Sequence, residues 1–170
     1  MREMASANLE DLRIDEAIWS AGSAERRHEW RLAINEIIQE GAFEVSDGKP
    51  AAVVTGTLRV VPGRVVFDLQ TADGPLASHE LPLAQIEPLI EDYMQTIREM
   101  SKLGVGSNSP RLEALDIAKR LTHDEAGELI VSHLTTLRPD HATARRMFTL
   151  LVTIFHDTTK LAAAPHRVVY

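Results

Sequence analysis

The sequence predicts an α+β fold, in which a small antiparallel sheet packs on helices and a C-terminal helical bundle follows. Residues 51–81 alternate between apolar and polar side chains and contain two turn sequences, whereas residues 83–157 carry apolar side chains at helical spacing. The two patterns differ because side chains repeat every two residues on a strand and about every 3.6 residues on a helix. The change of period near Leu81 therefore separates the sheet from the helices.

The segment before this sheet is predicted to hold one strand and one helix. Leu9–Ile14 alternates imperfectly and is a candidate strand that can join the sheet. Ser23 is a typical N-cap and Gly41 a typical C-cap for the helix that lies between them. The apolar stripe of that helix consists of Trp30, Ala33, Ile34, Ile37 and Ile38.

Three strands are predicted between Val54 and Leu81. Pro62-Gly63 and Asp73-Gly74 are turn sequences that join consecutive strands into an antiparallel meander. Alternation on these strands predicts one buried face and one face in water. The predicted core positions are Val54, Leu58, Val60, Val65, Phe67 and Leu69.

From Ile86 to Phe155 the pattern predicts helices and no strand. The first helix covers Ile86–Met100, which requires Pro88 to lie in the first turn, where a missing N–H costs little. Ser109-Pro110 combines an N-cap residue with proline at the first helical position, so a second helix begins there.

The second helical stretch is predicted to break near Thr122. Thr122 and Glu125 have the spacing of a capping box, so a new helix or a kink begins there. Arg138-Pro139 ends that stretch, and Asp140 caps a last helix whose residues 147–155 are apolar nearly all round, as is typical of a central helix. Before the break, the apolar stripe consists of Leu112, Leu115, Ala118 and Leu121.

The chain length of 170 residues predicts one domain. We expect this α+β domain to cover residues 1–157, with its sheet part at about 9–81 and its helical part at about 83–157. Residues 158–170 have no period and no core-forming run, so they are predicted to be a mobile tail.

Composition excludes several classes of protein. A net charge of −7 argues against broad affinity for nucleic acid or anionic membranes. The absence of cysteine excludes disulfides and thiolate metal sites. The N-terminus lacks an apolar signal-peptide stretch, and the longest nearly apolar run is too short to span a bilayer. We expect a soluble cytoplasmic protein with no metal, no cofactor, no nucleic-acid partner and no membrane contact.

Two blocks of sequence carry a resemblance to a known family. The run Asp116-Ile-Ala-Lys-Arg-Leu-Thr-His-Asp-Glu125 resembles the signature of an uncharacterised family of short alphaproteobacterial proteins, Asp-Met-Gly-Arg-Arg-Gly-Leu-His-Asn-Glu-Gly. Residues 140–150 match a second block, and residues 64–68 and 91–93 match more weakly. The resemblance covers most of residues 9–157 and implies a cytosolic single-domain protein with no assigned activity. The chain departs from the family pattern at Ala118, Leu121, Asp124 and Ala126.

The first candidate site contains His123 with Asp116 and Glu125 as candidate catalytic residues. Histidine exchanges protons near neutral pH, and a carboxylate can orient it. The competing interpretation is structural, since Thr122 and Glu125 would cap a helix whose dipole also favours the negative charge of Asp124.

The second candidate site is an anion clamp made of Arg120, Arg145 and Arg146. Cations in the first turns of a helix are disfavoured by its dipole, and a bound phosphate or carboxylate would explain them. Arg26-Arg27 is a candidate companion. The competing interpretation is ion pairing with acids such as Asp68, Glu80 or Asp116, because arginine forks suit carboxylates on any fold. We predict that Arg120, Arg145 and Arg146 converge near His123.

Two functions therefore stay open. The first is a non-enzymatic binding or regulatory module that acts through a protein partner or as a homo-oligomer, because no catalytic motif is present and apolar helix faces are abundant. The alternative is a small enzyme or anion-binding protein that uses His123 with Glu125 or Asp116 and the three arginines. A pocket that holds both clusters would favour the second function.

Overall fold

The computed structural model describes residues 4–46, 52–103 and 109–161, and within them it confirms the α+β class. A six-stranded sheet and five helices make up these ranges. In chain order the elements are β1 (Met4–Ile14), α1 (Glu16–Ala21), α2 (Ala24–Glu40), β2 (Phe43–Ser46), β3 (Ala52–Val61), β4 (Arg64–Thr71), β5 (Gly74–Pro82), α3 (Leu83–Leu103), α4 (Pro110–His133), β6 (Leu137–Pro139) and α5 (His141–Phe155).

The sheet has the strand order β5-β4-β3-β1-β2-β6. Its β3, β4 and β5 strands form the predicted antiparallel meander, with Leu58 opposite Phe67 and Phe67 opposite His79. Leu9–Ile14 lies in β1, which joins the sheet as predicted but pairs with β3 in parallel and with β2 in an antiparallel sense. The sheet is therefore mixed and larger than the sequence predicted.

The prediction that residues 86–155 contain no strand is wrong at β6. These three residues pair with β2, with Arg138 opposite Glu44 and Pro139 opposite Phe43. A strand of three residues is too short to show a period, and proline is tolerated because β6 lies at the sheet edge.

The predicted break near Thr122 is also wrong, because α4 is continuous from Pro110 to His133. The Thr122 hydroxyl donates to the Ala118 carbonyl at 3.0 Å instead of capping a new helix. A threonine inside a helix makes this bond to the preceding turn, since the local backbone N–H groups are already paired. The capping interpretation of Glu125 therefore has no structural basis.

The position of Pro88 differs from the prediction as well. Helix α3 begins at Leu83, so Pro88 is its sixth residue and lies beyond the first turn. The helix starts directly from β5, where the Leu83 N–H donates to the Gly63 carbonyl at 3.0 Å. Pro88 is exposed, so water can satisfy the Ala84 carbonyl that loses its helical donor.

The core lies between one face of the sheet and the helices, with α5 at its centre. Ten of the twelve side chains from Thr143 to Ile154 in α5 are buried, which confirms the central helix. The predicted sheet core is buried except at Val60, which is half-buried. On the opposite face of the sheet, Arg59 pairs with Asp68 at 2.5 Å.

The start of the predicted tail is packed. Thr158 is buried and its hydroxyl donates to the buried carboxylate of Glu29 at 2.7 Å. Leu161 contacts the core. Residues 162–170 lie outside the described residues, so the mobility of that part of the tail stays a prediction.

Candidate functional site

His123 lies in the interior, on the face of α4 that packs against α3 and α5. Its side chain is 0% exposed. The imidazole ring meets Tyr93 of α3 and Phe148 of α5 edge to face, with ring centroids 4.9 Å and 5.5 Å away. Tyr93 and Phe148 also contact each other at 5.6 Å. Three rings thus form one cluster that joins three helices.

The His123 ring has a hydrogen-bond partner on α5, and the backbone of Lys119, one turn before it on α4, also acts on the ring. Nε2 lies 3.2 Å from the Thr149 hydroxyl oxygen. That hydroxyl also donates to the Arg145 carbonyl at 3.3 Å, so it links His123 to the backbone of α5.

Lys119 lies one turn before His123 on the same buried face and is 1% exposed. Burial lowers the pKa of its ammonium group from 10.5 to about 8, although Asp116 acts in the opposite direction. Burial also lowers the pKa of His123 to about 4, and the charges of Lys119 and Arg145 add to that effect. His123 is therefore neutral near pH 7, and it lies beside two basic groups.

Arg145 of α5 forms the edge of this cluster. Its guanidinium is 3.3 Å from Asp124, and its side chain is only 12% exposed. The same carboxylate also accepts from His141 at 3.3 Å. Gly127 allows this arrangement, because a Cβ there would lie 3.3 Å from both the Arg145 and the His141 side chains. Arg145 therefore joins α5 to α4 as an ion-paired strut.

The structure brings only part of the predicted site together. Arg120 pairs with Asp116 at 2.7 Å, one turn apart on α4. Glu125 is exposed and points away from the buried face that holds His123. Arg146 is half-buried and has no ion pair among the described residues. Of the predicted anion clamp, Arg145 is the member whose charge acts on His123.

The Arg26-Arg27 pair has a structural explanation. Arg26 donates to the Thr153 and Ile154 carbonyls at 3.1 Å and 2.9 Å, at the C-terminal end of α5. Arg27 donates to the carbonyls of Trp19 and Ser20 at the end of α1. Cations stabilise the ends of helices where carbonyls are unpaired. Both arginines lie on α2, and each donates to carbonyls at the C-terminal end of another helix, α5 or α1.

A groove of about 1210 Å³ lies apart from His123, where β2, β6, the end of α4 and the start of α5 meet. Among the charged side chains that line it, Glu44, Glu128 and Arg138 have neither an ion pair nor a side-chain hydrogen bond in the described residues, whereas Asp140 caps α5. A smaller cavity of about 390 Å³ lies beside Trp19. Neither cavity is lined by His123.

Sequence reasoning missed three residues of the buried cluster, Lys119, Tyr93 and Thr149. The spacing of Lys119 and His123 places them on one helix face, but a face that carries a lysine normally faces solvent. The groove was missed because β6 was not predicted. Across the described ranges no group of three or more metal-ligating side chains occurs, and no helix there has the length and apolar character needed to cross a membrane.

The fold and the cluster define an α+β protein with a mixed sheet and a buried histidine that joins three helices. The model of an uncharacterised protein family, UPF0262, matches residues 6–157. The chain belongs to this family, as its two sequence blocks indicated.

Curated relatives match along nearly their whole length. A UPF0262 protein of Methylobacterium radiotolerans is 33% identical over 147 residues, which is 84% of this chain and 89% of the relative. One from Sphingopyxis alaskensis is 32% identical, over 79% of this chain and 83% of its own. One from Rhizobium meliloti is 27% identical, over 91% and 98%. No solved structure matches.

Proposed function

We propose that this chain is a non-enzymatic binding module of the cytoplasm, which takes a segment of a partner protein into the groove between β2, β6, α4 and α5. The observation that carries the proposal is the set of charged side chains in that groove. Glu44, Glu128 and Arg138 have no ion pair within the described residues, so a ligand can pair with them without first breaking a contact.

The groove favours a partner segment with both basic and apolar side chains. Its charged lining contains three carboxylates, from Glu44, Glu128 and Asp140, against the single guanidinium of Arg138. Phe43, Val131 and Pro139 add apolar surface to the same wall. Complementary charge selects the partner and speeds its association, while the apolar contacts hold it.

The edge of β6 supports binding through side chains rather than through strand addition. The Asp140 N–H donates to Ala42 and the Ser46 N–H to Thr136, so the backbone groups of Arg138 face β2. The backbone groups of Leu137 and Pro139 then point away from β2, although both side chains are buried, and proline has no N–H to offer. An edge of this kind resists pairing with another strand.

The position of His123 argues against the alternative function. A general acid or base must come within hydrogen-bond reach of its substrate, whereas His123 is fully buried and lines neither cavity. Arg145 and Arg120 are already paired with carboxylates. The contacts therefore favour a structural role for these residues over an active site or anion clamp.

Photo-cross-linking in the native cells tests the proposal. A photoreactive amino acid at Ser132, which is exposed and lines the groove, should give a cross-linked adduct with one partner protein. The same amino acid at Thr55, exposed on the outer face of the sheet, should not give that adduct. Replacing Glu44 and Glu128 by lysine should remove the adduct at Ser132. An absent adduct, or one that survives both replacements, would contradict the proposal.

A further inference from the structure

The N-terminal half of α4 has apolar side chains that remain exposed in the described part of the chain. Ile117 is 56% exposed and Leu121 is 62% exposed. Ala114, one turn before, is exposed on the same side of the helix. We name Ala114, Ile117 and Leu121 the α4 apolar face. It points away from the side of the helix that carries His123.

The charges along the same side of α4 are unevenly placed. Glu125 and Glu128 continue the exposed side toward the C-terminal end, and Glu125 has no ion pair in the described ranges. Arg111 is exposed near the N-terminal end, where it pairs with Glu99 at 3.2 Å. Arg111 and Glu125 lie about 21 Å apart along the helix, so they cannot meet within one chain.

We infer that the α4 apolar face binds a second copy of this chain, with the two α4 helices antiparallel about a two-fold axis near Ala118. A two-fold axis there places Ile117 and Leu121 of each copy against the same residues of the other. It also brings Arg111 of each copy opposite Glu125 of the other, at both ends of the contact. A parallel arrangement would instead place Arg111 against Arg111 and Glu125 against Glu125.

Charge complementarity is what selects a second copy as the occupant. When a second helix is reversed, its apolar face meets the apolar face of the first, and each flanking charge meets the opposite charge, so the surface is self-complementary about a two-fold axis. The inference does not depend on the proposed function, because none of the residues of the α4 apolar face lines the groove. Glu128 of the groove lies farther along the same side of α4.

Sedimentation equilibrium of the purified full chain gives the first test. The wild type should show a species of twice the 18.9 kDa chain mass at micromolar concentration. Leu121→Lys should weaken the dimer roughly tenfold or more, whereas Leu32→Lys, at an exposed leucine on α2, should leave it unchanged. Circular dichroism spectra that match the wild-type spectrum would show that both variants fold. A monomer at every concentration would overturn the inference, as would equal effects of the two variants.

A charge exchange tests the pairing of the two ends. Arg111→Glu should weaken the dimer, and the double variant Arg111→Glu, Glu125→Arg should restore it. Glu99→Gln serves as the control for the lost contact with Glu99 within the chain, and it should leave the dimer intact. Failure of the double variant to recover would exclude the antiparallel contact.

The chain has no cysteine, so single cysteines report the geometry without background. Under oxidation Ile117→Cys should form a disulfide-linked dimer, because the axis brings the two copies of residue 117 together. Glu128→Cys should not, since antiparallel helices hold its two copies about 30 Å apart. Val53→Cys, at an exposed apolar position on β3, gives the rate of random collision. Cross-linking at 128 as fast as at 117 would overturn the arrangement.

Discussion

Replacing His123 by phenylalanine should remove a large part of the acid sensitivity of this protein. The His123 ring is fully buried between Tyr93 and Phe148, so the charged imidazolium is strongly disfavoured in the folded chain. Its pKa falls from 6.5 to about 4, chiefly through burial. The charges of Lys119 on its own helix and of Arg145 on α5 add to the shift, whereas the backbone hydrogen bond of Lys119 and the charge of Asp124 oppose it.

The sign and size of the effect follow from this shift. Below pH 6.5 the unfolded chain takes up a proton at this histidine, whereas the folded chain does not until the pH approaches 4. The contribution of neutral His123 to the free energy of unfolding is therefore fully present above pH 6.5, and it is lost as the pH falls toward 4. Since each pKa unit corresponds to 1.36 kcal/mol, the loss from His123 is on the order of 3 kcal/mol.

Urea melts of the wild type and His123→Phe across this pH range give the measurement. A phenyl ring can occupy the same place among Tyr93 and Phe148, and the Thr149 hydroxyl keeps its bond to the Arg145 carbonyl. The variant should be close to the wild type above pH 7 and should gain on it by on the order of 3 kcal/mol as the pH falls to 4. Other groups, including buried His79, titrate equally in both proteins and cancel in the difference.

A matched control is His28→Phe, because His28 is exposed. This variant should follow the wild-type curve at every pH. Equal pH dependence of wild type and His123→Phe would refute the reasoning, and so would an imidazole resonance of His123 that titrates near pH 6.5.

Four further predictions concern stability. Arg145→Ala should lower the free energy of unfolding by about 1 kcal/mol in urea melts, because its carboxylate partner is half-exposed and stays hydrated; a loss above about 3 kcal/mol would indicate a buried partner. Gly22→Ala should lower it by about 1–3 kcal/mol, since the new Cβ would lie 2.6 Å from the buried Trp30 ring; an unchanged melt would contradict this. Thr158→Val should cost about 1–3 kcal/mol by removing a donor to buried Glu29, whereas truncation after residue 161 should change the melting temperature little.

The sequence predicted the meander and the central helix because each carries a long, regular pattern. Turn residues define both ends of β4, and α5 is apolar nearly all round. Three short elements, α1, β2 and β6, had no such pattern, since six, four and three residues are too few to show a period. Their positions are set by neighbours, as where Phe43 of β2 pairs with Pro139.

The candidate site was harder to predict than the fold. His123 and Arg145 were identified from their residue types, and their proximity was anticipated from short connections between helices. The actual carboxylate partner of Arg145 is Asp124, which the sequence had assigned to a helix start. Partners of this kind depend on how far α4 is rotated about its axis, which no local pattern of residues specifies.

The rotation of α4 about its axis also explains why its buried and exposed faces differ from those that the sequence predicted. Leu121 belongs to the apolar stripe that predicted burial, yet it is exposed, while Lys119 and His123 occupy the buried face. Burial of these basic groups opposes their charged forms, as the lowered pKa values of both show. A helix that exposes leucine and buries lysine violates local consistency, and such violations are expected where function demands them. An antiparallel contact between two copies of α4 would cover the exposed Leu121. The buried basic groups would remain buried, and His123→Phe measures how the burial of His123 makes the free energy of unfolding depend on pH.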